Sequence, residues 1–463
     1  MRESYPISNM ALIVFMGYTL FAYDTGSGDL NTALNIDNNH YALLLTLAIL
    51  VYPLEKVLKG GLRRLIETDV LLVSSFIYWS LLDILQSRYP LTMVEPESVK
   101  LTFIYIALFV LFVEIGAQYS FKLPKLVQEA VKVDISSKNL FTIFLACFFI
   151  GIFYFFYASY FDFWYMISAL DRPRFNAPWS RGAFGGFSAI IEHLKYFGYL
   201  LPTLFVLIAL KEGKMNAKVL IALVLTIFFS AFEFQGGGRR ITGFLIGVGA
   251  ITYMVYKRNE LGVRHYLIMT ILAAGMLVLL DMQLAFRNKG YENMFSTYDV
   301  EQLDEVRVDD NFLRIAQMIE LIPESHPYGG FKYYIYSLGR PIPRFFWPGK
   351  PLDPGFVVNE MVGEVGVSLT TTVVGEAYAS MGVINIIFMA FMYGLIAGSV
   401  RQMVYYKMGI LGFTIYALQT LAIVGGVRAL VDMVIFSYAF LGLMVMYKFW
   451  IRKKAVFIDT QHA

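Results

Sequence analysis

The sequence predicts an all-α polytopic membrane protein of about twelve transmembrane helices, with a large external loop between the ninth and the tenth. Three observations carry that expectation. Hydrophobic residues make up 57% of the 463 residues and charged residues only 16%, too little polar surface to clothe a soluble globule. The apolar residues come in runs of about 20, the length an α-helix needs to cross a bilayer. One interval of about 90 residues interrupts these runs, far longer than an ordinary connection, and such intervals carry function. The net charge of +3 is too small to indicate a nucleic-acid partner. The single cysteine, Cys147, lies in an apolar run and can form no disulfide within the chain.

In order, the runs lie near residues 8–23, 40–55, 69–86, 101–119, 139–160, 187–210, 217–234, 240–256, 265–286, 377–400, 409–425 and 429–449. The first follows Met1 and Arg2 closely and shows no small-residue cleavage site, so it reads as an uncleaved span. Alternate connections carry Lys56, Lys59, Arg63 and Arg64; Lys122, Lys125, Lys132 and Lys138; Lys211, Lys214 and Lys218; Lys257, Arg258 and Arg264; Arg401 and Lys407; then Lys448, Arg452, Lys453 and Lys454 in the tail. The positive-inside bias puts these on the cytoplasmic side, with both termini, and leaves the long loop outside. Three parts follow: helices 1–9 over residues 1–286, the external loop over 287–376, and helices 10–12 with a cytoplasmic tail over 377–463. The loop is acidic and reads as solvated from Glu292 to Asp310. There Asp310 or Asn311 can cap a helix whose Ile315, Met318, Ile319 and Ile322 recur at helical spacing until Pro323 ends it. Its single apolar stripe suits a helix in the membrane interface or packed over the spans.

The cations on the outer side are mostly arginines: Arg172, Arg174, Arg181, Arg239, Arg240, Arg287, Arg340, Arg344 and Arg428. They oppose the sorting bias, and binding an anion is the simplest reason for that. Leu338 to Pro351 reads Leu-Gly-Arg-Pro-Ile-Pro-Arg-Phe-Phe-Trp-Pro-Gly-Lys-Pro. Four prolines exclude a helix interior or sheet centre. A stiff loop presenting Arg340, Arg344 and Lys350 would grip phosphate at little entropic cost, or would rest its cations on lipid headgroups. Gly236, Gly237 and Gly238 precede Arg239 and Arg240 at a helix start, where close backbone approach, free N–H groups and the helix dipole favour an anion; a tight hairpin against headgroups would look the same. Arg287 falls at the same depth.

Glu376 follows Thr370 to Gly375 where the chain re-enters the membrane, and a carboxylate there is costly. General base and ion-pair partner for an arginine both fit. His326 stands in the loop as a second candidate base. Glu192 and Lys195, three apart, suit a pair with each other, while Asp281 and Asp432 are acids that could neutralise Arg287 or Arg428. Asp24 and Asp29 lack neighbours of a metal-binding kind, so no metal is expected. No Walker loop, dinucleotide fingerprint, nucleophile elbow or zinc motif occurs in its required context.

Gly238 to Arg240, Arg340 to Pro351, and Gly375-Glu376-Ala377-Tyr378 followed by Met381 and Gly382 resemble the Wzy family of bacterial oligosaccharide repeat-unit polymerases of O-antigen, capsule and exopolysaccharide pathways. The resemblance implies a GT-C-like glycosyltransferase of the bacterial inner membrane, needing no metal or cofactor. Such an enzyme joins undecaprenyl-pyrophosphate-linked units on the periplasmic face, beside the flippase and chain-length regulator of its pathway. Under it, Arg239, Arg240, Arg287, Arg340 and Arg344 would bind pyrophosphate and Glu376 or His326 would be catalytic. Arg172, Arg181, Lys350, Tyr378 and Arg428 would supply further substrate or lipid contacts. An O-antigen ligase, which also places a histidine in the large loop, and a lipid-linked oligosaccharide flippase are the alternatives. Reporter fusions at Lys122 and at Asp304 are expected to report opposite sides of the membrane; a shared side would remove the outer-face assignment of the arginines.

Overall fold

The computed structural model describes residues 4–23, 30–87, 89–180, 188–236, 238–286, 291, 308–364, 369–454 and 456–457, and about 76% of the chain is helical. Each of the twelve apolar runs is a helix. The first nine are α1 (Pro6–Ala22), α2 (Leu30–Gly60), α3 (Thr68–Leu85, with a π-helical turn at Ile77–Leu81), α4 (Pro96–Ala117), α5 (Ser137–Ala158), α6 (Ile190–Glu212), α7 (Ala217–Gln235), α8 (Arg239–Tyr256) and α9 (Val263–Phe286). The loop contributes α10 (Asn311–Leu321) and α11 (Lys332–Leu338), and the chain ends with α12 (Thr372–Arg401), α13 (Ile410–Gly425) and α14 (Leu430–Phe449). Among the described residues nine helices are long and apolar enough to cross a membrane, α1 and α13 are shorter apolar helices, and α8, with two arginines in its first turn, is not among the nine. Two short strands, Val133–Asp134 and Val456–Phe457, pair antiparallel.

Backbone contact between α4 and α12 sits at the centre. A Cβ on Gly116 would lie 2.3 Å from the Phe391 carbonyl, and one on Gly394 would lie 2.1 Å from that of Val113. Gly398 approaches the Tyr119 carbonyl in the same way. Gly394 and Gly398, one helical turn apart, form the small-residue stripe that lets apolar helices approach where lipid offers no competing hydrophobic drive.

α12 is broken near its start. Met381 and Gly382 leave helical geometry, Gly382 at φ 71° and ψ −159°, a region essentially reserved for glycine. Three carbonyls beside the break take donors from elsewhere. Gly329 N donates to Ala379 O (2.9 Å), Gly330 N to Ser380 O (2.8 Å), and Asn385 Nδ2 to Ala377 O (2.9 Å). Irregular backbone in a membrane protein persists only where protein or water satisfies it, and here the long loop and Asn385 of α12 do so.

α10 packs over the spans: Phe312, Ile315 and Met318 are fully buried, so of the two places open to its stripe the interface is excluded. The expected cap is corrected as well. Asp310 makes no cap hydrogen bond and instead pairs with Arg314, while Phe312 N donates to Asp83 of α3 (3.0 Å). At the opposite end of α12, Lys56 is no loop residue. It is fully buried in α2 between Glu67 and Asp69, each 2.8 Å away, and Asp69 also holds Arg401.

Gly382→Ala forces a side chain onto positive φ with its Cβ 3.2 Å from the Tyr328 hydroxyl, a strain of about 1–3 kcal/mol. Thermal unfolding in detergent is expected to show a clear drop in Tm, whereas Gly17→Ala, with open space around it, should leave Tm nearly unchanged.

Candidate functional site

α7 ends at Gln235 and α8 starts at Arg239, so the two helices are joined by Gly236, Gly237 and Gly238, and Arg239 and Arg240 occupy the first turn of α8. The connection between α13 and α14 brings Arg428 to the same end of the bundle, and Asp309 arrives just ahead of α10. Their charges alternate in a continuous chain. Arg239 Nη2 lies 2.5 Å from Asp309 Oδ1. Asp309 Oδ2 lies 3.5 Å from Arg428 Nε, and Arg428 Nη1 is 3.1 Å from Asp432 Oδ2. Asp432 Oδ1 accepts from Arg240 Nη1. Among the described residues three arginines thus share two carboxylates. Asp432 is 2% exposed while the arginine side chains keep 17–22%, enough to meet a ligand.

This chain of charges forms part of the wall of a cavity of about 1270 Å³. Arg174 and Lys195 add further cations, and Glu233 is the only other described acid in the wall. Tyr78, Trp79, Tyr154 and Trp179 give aromatic faces, with Trp179 Nε1 fixed to Gln235 Oε1 (3.0 Å). Ala273, Met276, Leu277 and Leu280 of α9 form an apolar side. No residue from Val263 through Leu279 is buried, so α9 is a thin wall between the cavity and the surroundings. The space can hold an anionic group at one end, sugar rings on aromatic faces and a hydrocarbon chain along α9.

The loop cations behave differently. Arg344 is exposed, and both arms of its fork donate to carbonyls of its own loop, Nη1 to Lys350 O (2.8 Å) and Nη2 to Pro351 O (2.9 Å). Lys350 is buried and donates to Ile342 O (2.8 Å); burial, then the Arg340 and Arg344 charges, lower its pKa. The prolines remove donors, and these cations supply the missing ones. Arg344 and Lys350 are thus committed to the backbone of their own loop. Arg340 binds the Tyr336 hydroxyl and lies 4.5 Å over that ring, its Nε without a partner among the described residues.

Glu376 lies outside the described cavity wall. Its Oε2 accepts from Tyr333 OH (2.8 Å) and from Leu430 N (2.9 Å) at the start of α14, which ties the loop to the last helix. Burial, then the Glu376 charge, raises the Tyr333 pKa well above its usual value and keeps the hydroxyl a donor. His326 is half-buried beyond α10, also away from the wall. Tyr378 donates to Ile322 O (2.9 Å), and Arg172 lies 4.7 Å over the Tyr165 ring. Arg181, Arg287, Asp24 and Asp29 fall outside the described residues. Glu192 and Lys195 pair at 2.8 Å, as their spacing implies. Among the described residues no group of acids, histidines and cysteines is arranged to hold a metal.

Of the residues expected at the site, Arg239, Arg240 and Arg428 come together. Asp309, near the end of the acidic stretch, is a bridge between two arginines; residues 292–307 of that stretch lie outside the described residues. Glu233, Lys195, Tyr78 and Trp79 were not foreseen, because each lies within an apolar run that local sequence reads only as a span. Comparison with family models, curated proteins and solved structures gave no match.

Removing one member of a buried ion pair strands the others. Asp432→Ala is expected to cost about 3 kcal/mol or more, seen as a lowered Tm. Adding Arg240→Met to the same variant should restore part of the loss; a wild-type Tm for Asp432→Ala alone would show that the chain of charges carries no stability.

Proposed function

We propose that the protein is a membrane glycosyltransferase that polymerises undecaprenyl-pyrophosphate-linked oligosaccharide repeat units on the periplasmic face of a bacterial inner membrane. The observation that carries this reading is the arginine-rich chain in the wall of a large cavity that also has aromatic faces and an apolar side. A lipid-linked pyrophosphate sugar has the same three chemical parts. In this reading all twelve helices span, in a GT-C-like arrangement with both termini in the cytoplasm.

Pyrophosphate sits on Arg239, Arg240 and Arg428, the sugars lie along Trp79, Tyr78 and Trp179, and the prenyl chain runs along α9. An acceptor hydroxyl attacks the anomeric carbon, the bond from that carbon to the phosphate oxygen breaks, and charge builds on the departing pyrophosphate. Fixed cations in a water-poor site lower the barrier most where charge develops. Arg344 and Lys350 hold the outer loop in shape, and with Arg340 they put positive charge beside the exposed Phe345 and Phe346 at the membrane surface. His326 has no place in the wall, which leaves the ligase reading without its base. A flippase would use the same cavity to move the lipid without lengthening the glycan.

The test is purified protein in vesicles with a polyprenyl-pyrophosphate oligosaccharide, read for chain growth and for transbilayer movement. Arg240→Lys and Arg428→Lys keep the charge but lose the planar fork. Loss of a charge-assisted contact of about 2–4 kcal/mol in the transition state corresponds to a hundredfold or greater fall in rate. Wild-type rates in both variants at equal protein level, or lipid movement without chain growth in the wild type, would overturn the reading.

A further inference from the structure

Two described carboxylates face the cavity, and they are held in different ways. Asp309 is neutralised by Arg239 and Arg428. Glu233, near the end of α7, has no ion pair among the described residues. Its Oε2 accepts from Tyr199 OH (3.2 Å), and its Oε1, itself buried, has no hydrogen-bond partner among the described residues. The residue is only 5% exposed, and a buried carboxylate oxygen without a donor is costly, so native proteins keep one chiefly where a ligand or a reaction uses it. The charged and titratable groups around Glu233 and Tyr199 are Lys195, Glu192, Tyr154, Tyr196 and Arg240. Lys195 also faces the cavity while paired with Glu192. Glu376 is held differently: it lies outside the described wall, with a backbone N–H and a tyrosine both donating to its Oε2.

We propose that Glu233, rather than Glu376, takes the proton from the acceptor hydroxyl. This rests on the glycosyltransferase reading above and goes beyond it by naming the base. The acceptor O–H proton moves to Glu233 Oε1 as the oxygen forms its bond to the anomeric carbon. The bond between that carbon and the phosphate oxygen breaks, and its electron pair leaves with the pyrophosphate onto Arg239, Arg240 and Arg428. Tyr199 holds the other carboxylate oxygen and so fixes the carboxylate in place. A single displacement of this kind inverts the anomeric configuration. Glu376 is then a positioning residue that ties the loop to α14.

The experiment uses the full-length protein in vesicles with a polyprenyl-pyrophosphate trisaccharide of known anomeric configuration. Donor binding, chain growth across pH and the anomeric form of the new linkage are measured. Glu233→Gln is expected to bind donor within about threefold of wild type and to lose chain growth by a hundredfold or more, the range of general-base catalysis. Glu233→Asp should retain partial activity with a shifted acid limb in its pH profile. If Glu233→Gln does not fold, the acid limb of Glu233→Asp decides: a shift supports the assignment and an unchanged limb overturns it. A folded Glu233→Gln that elongates within about threefold of wild type overturns it, as does a linkage of retained configuration. Absence of chain growth in the wild type would overturn the functional reading itself, and this assignment with it.

Discussion

Asp432 is a carboxylate at the start of a membrane-spanning helix, nearly without access to water, and its place is tolerable only because Arg240 and Arg428 meet it there. That pairing fixes the outer end of the bundle. It holds α8 against α14, and through Asp309 it reaches Arg239 and the segment that leads into α10. Without opposing charge each member would have to stay near water, and the helix ends would separate. The same interaction brings three arginines together at one end of the bundle, where Arg239, Arg240 and Arg428 line the cavity.

A second constraint acts on the broken α12. Once Met381 and Gly382 leave helical geometry, the carbonyls of Ala377, Ala379 and Ser380 need donors, and Gly329, Gly330 and Asn385 provide them. The long loop before α12 is therefore part of the helical bundle's hydrogen bonding rather than an appendage to it. Glu376 strengthens the same connection through Tyr333 and Leu430. The proline-rich loop satisfies itself in a comparable way, with Arg344 and Lys350 donating to carbonyls in their own stretch. A positive charge in a loop is then as much a donor for backbone as an offer to a ligand.

The cavity joins these features to function. Its apolar side is α9, which packs little against the rest, and its cationic end is the arginine chain. An amphiphile with an anionic head fits that polarity, and the aromatic faces between the two ends suit sugar rings. Among the described residues, Glu233 has a buried carboxylate oxygen without a partner in a wall where the other acid is neutralised by two arginines.

Helix positions were legible from the chain alone, since a run of about 20 apolar residues has few other stable forms in lipid. All twelve runs are helices, and the glycines before Arg239 do open a helix at a cavity. Local pattern also paired Glu192 with Lys195, because neighbours on one helix face must meet. Pairings between distant segments were not legible. Asp309 looked like one acid in a solvated run, Arg344 looked free, Lys56 looked like a loop lysine, and Glu233 looked like part of a span. Asp309, Lys56 and Glu233 are decided by which segment arrives opposite them, whereas Arg344 turns back onto carbonyls of its own loop. Hydropathy and spacing thus determine the elements, while the need to neutralise buried charge and to satisfy broken backbone determines, only in three dimensions, which side chains make the site.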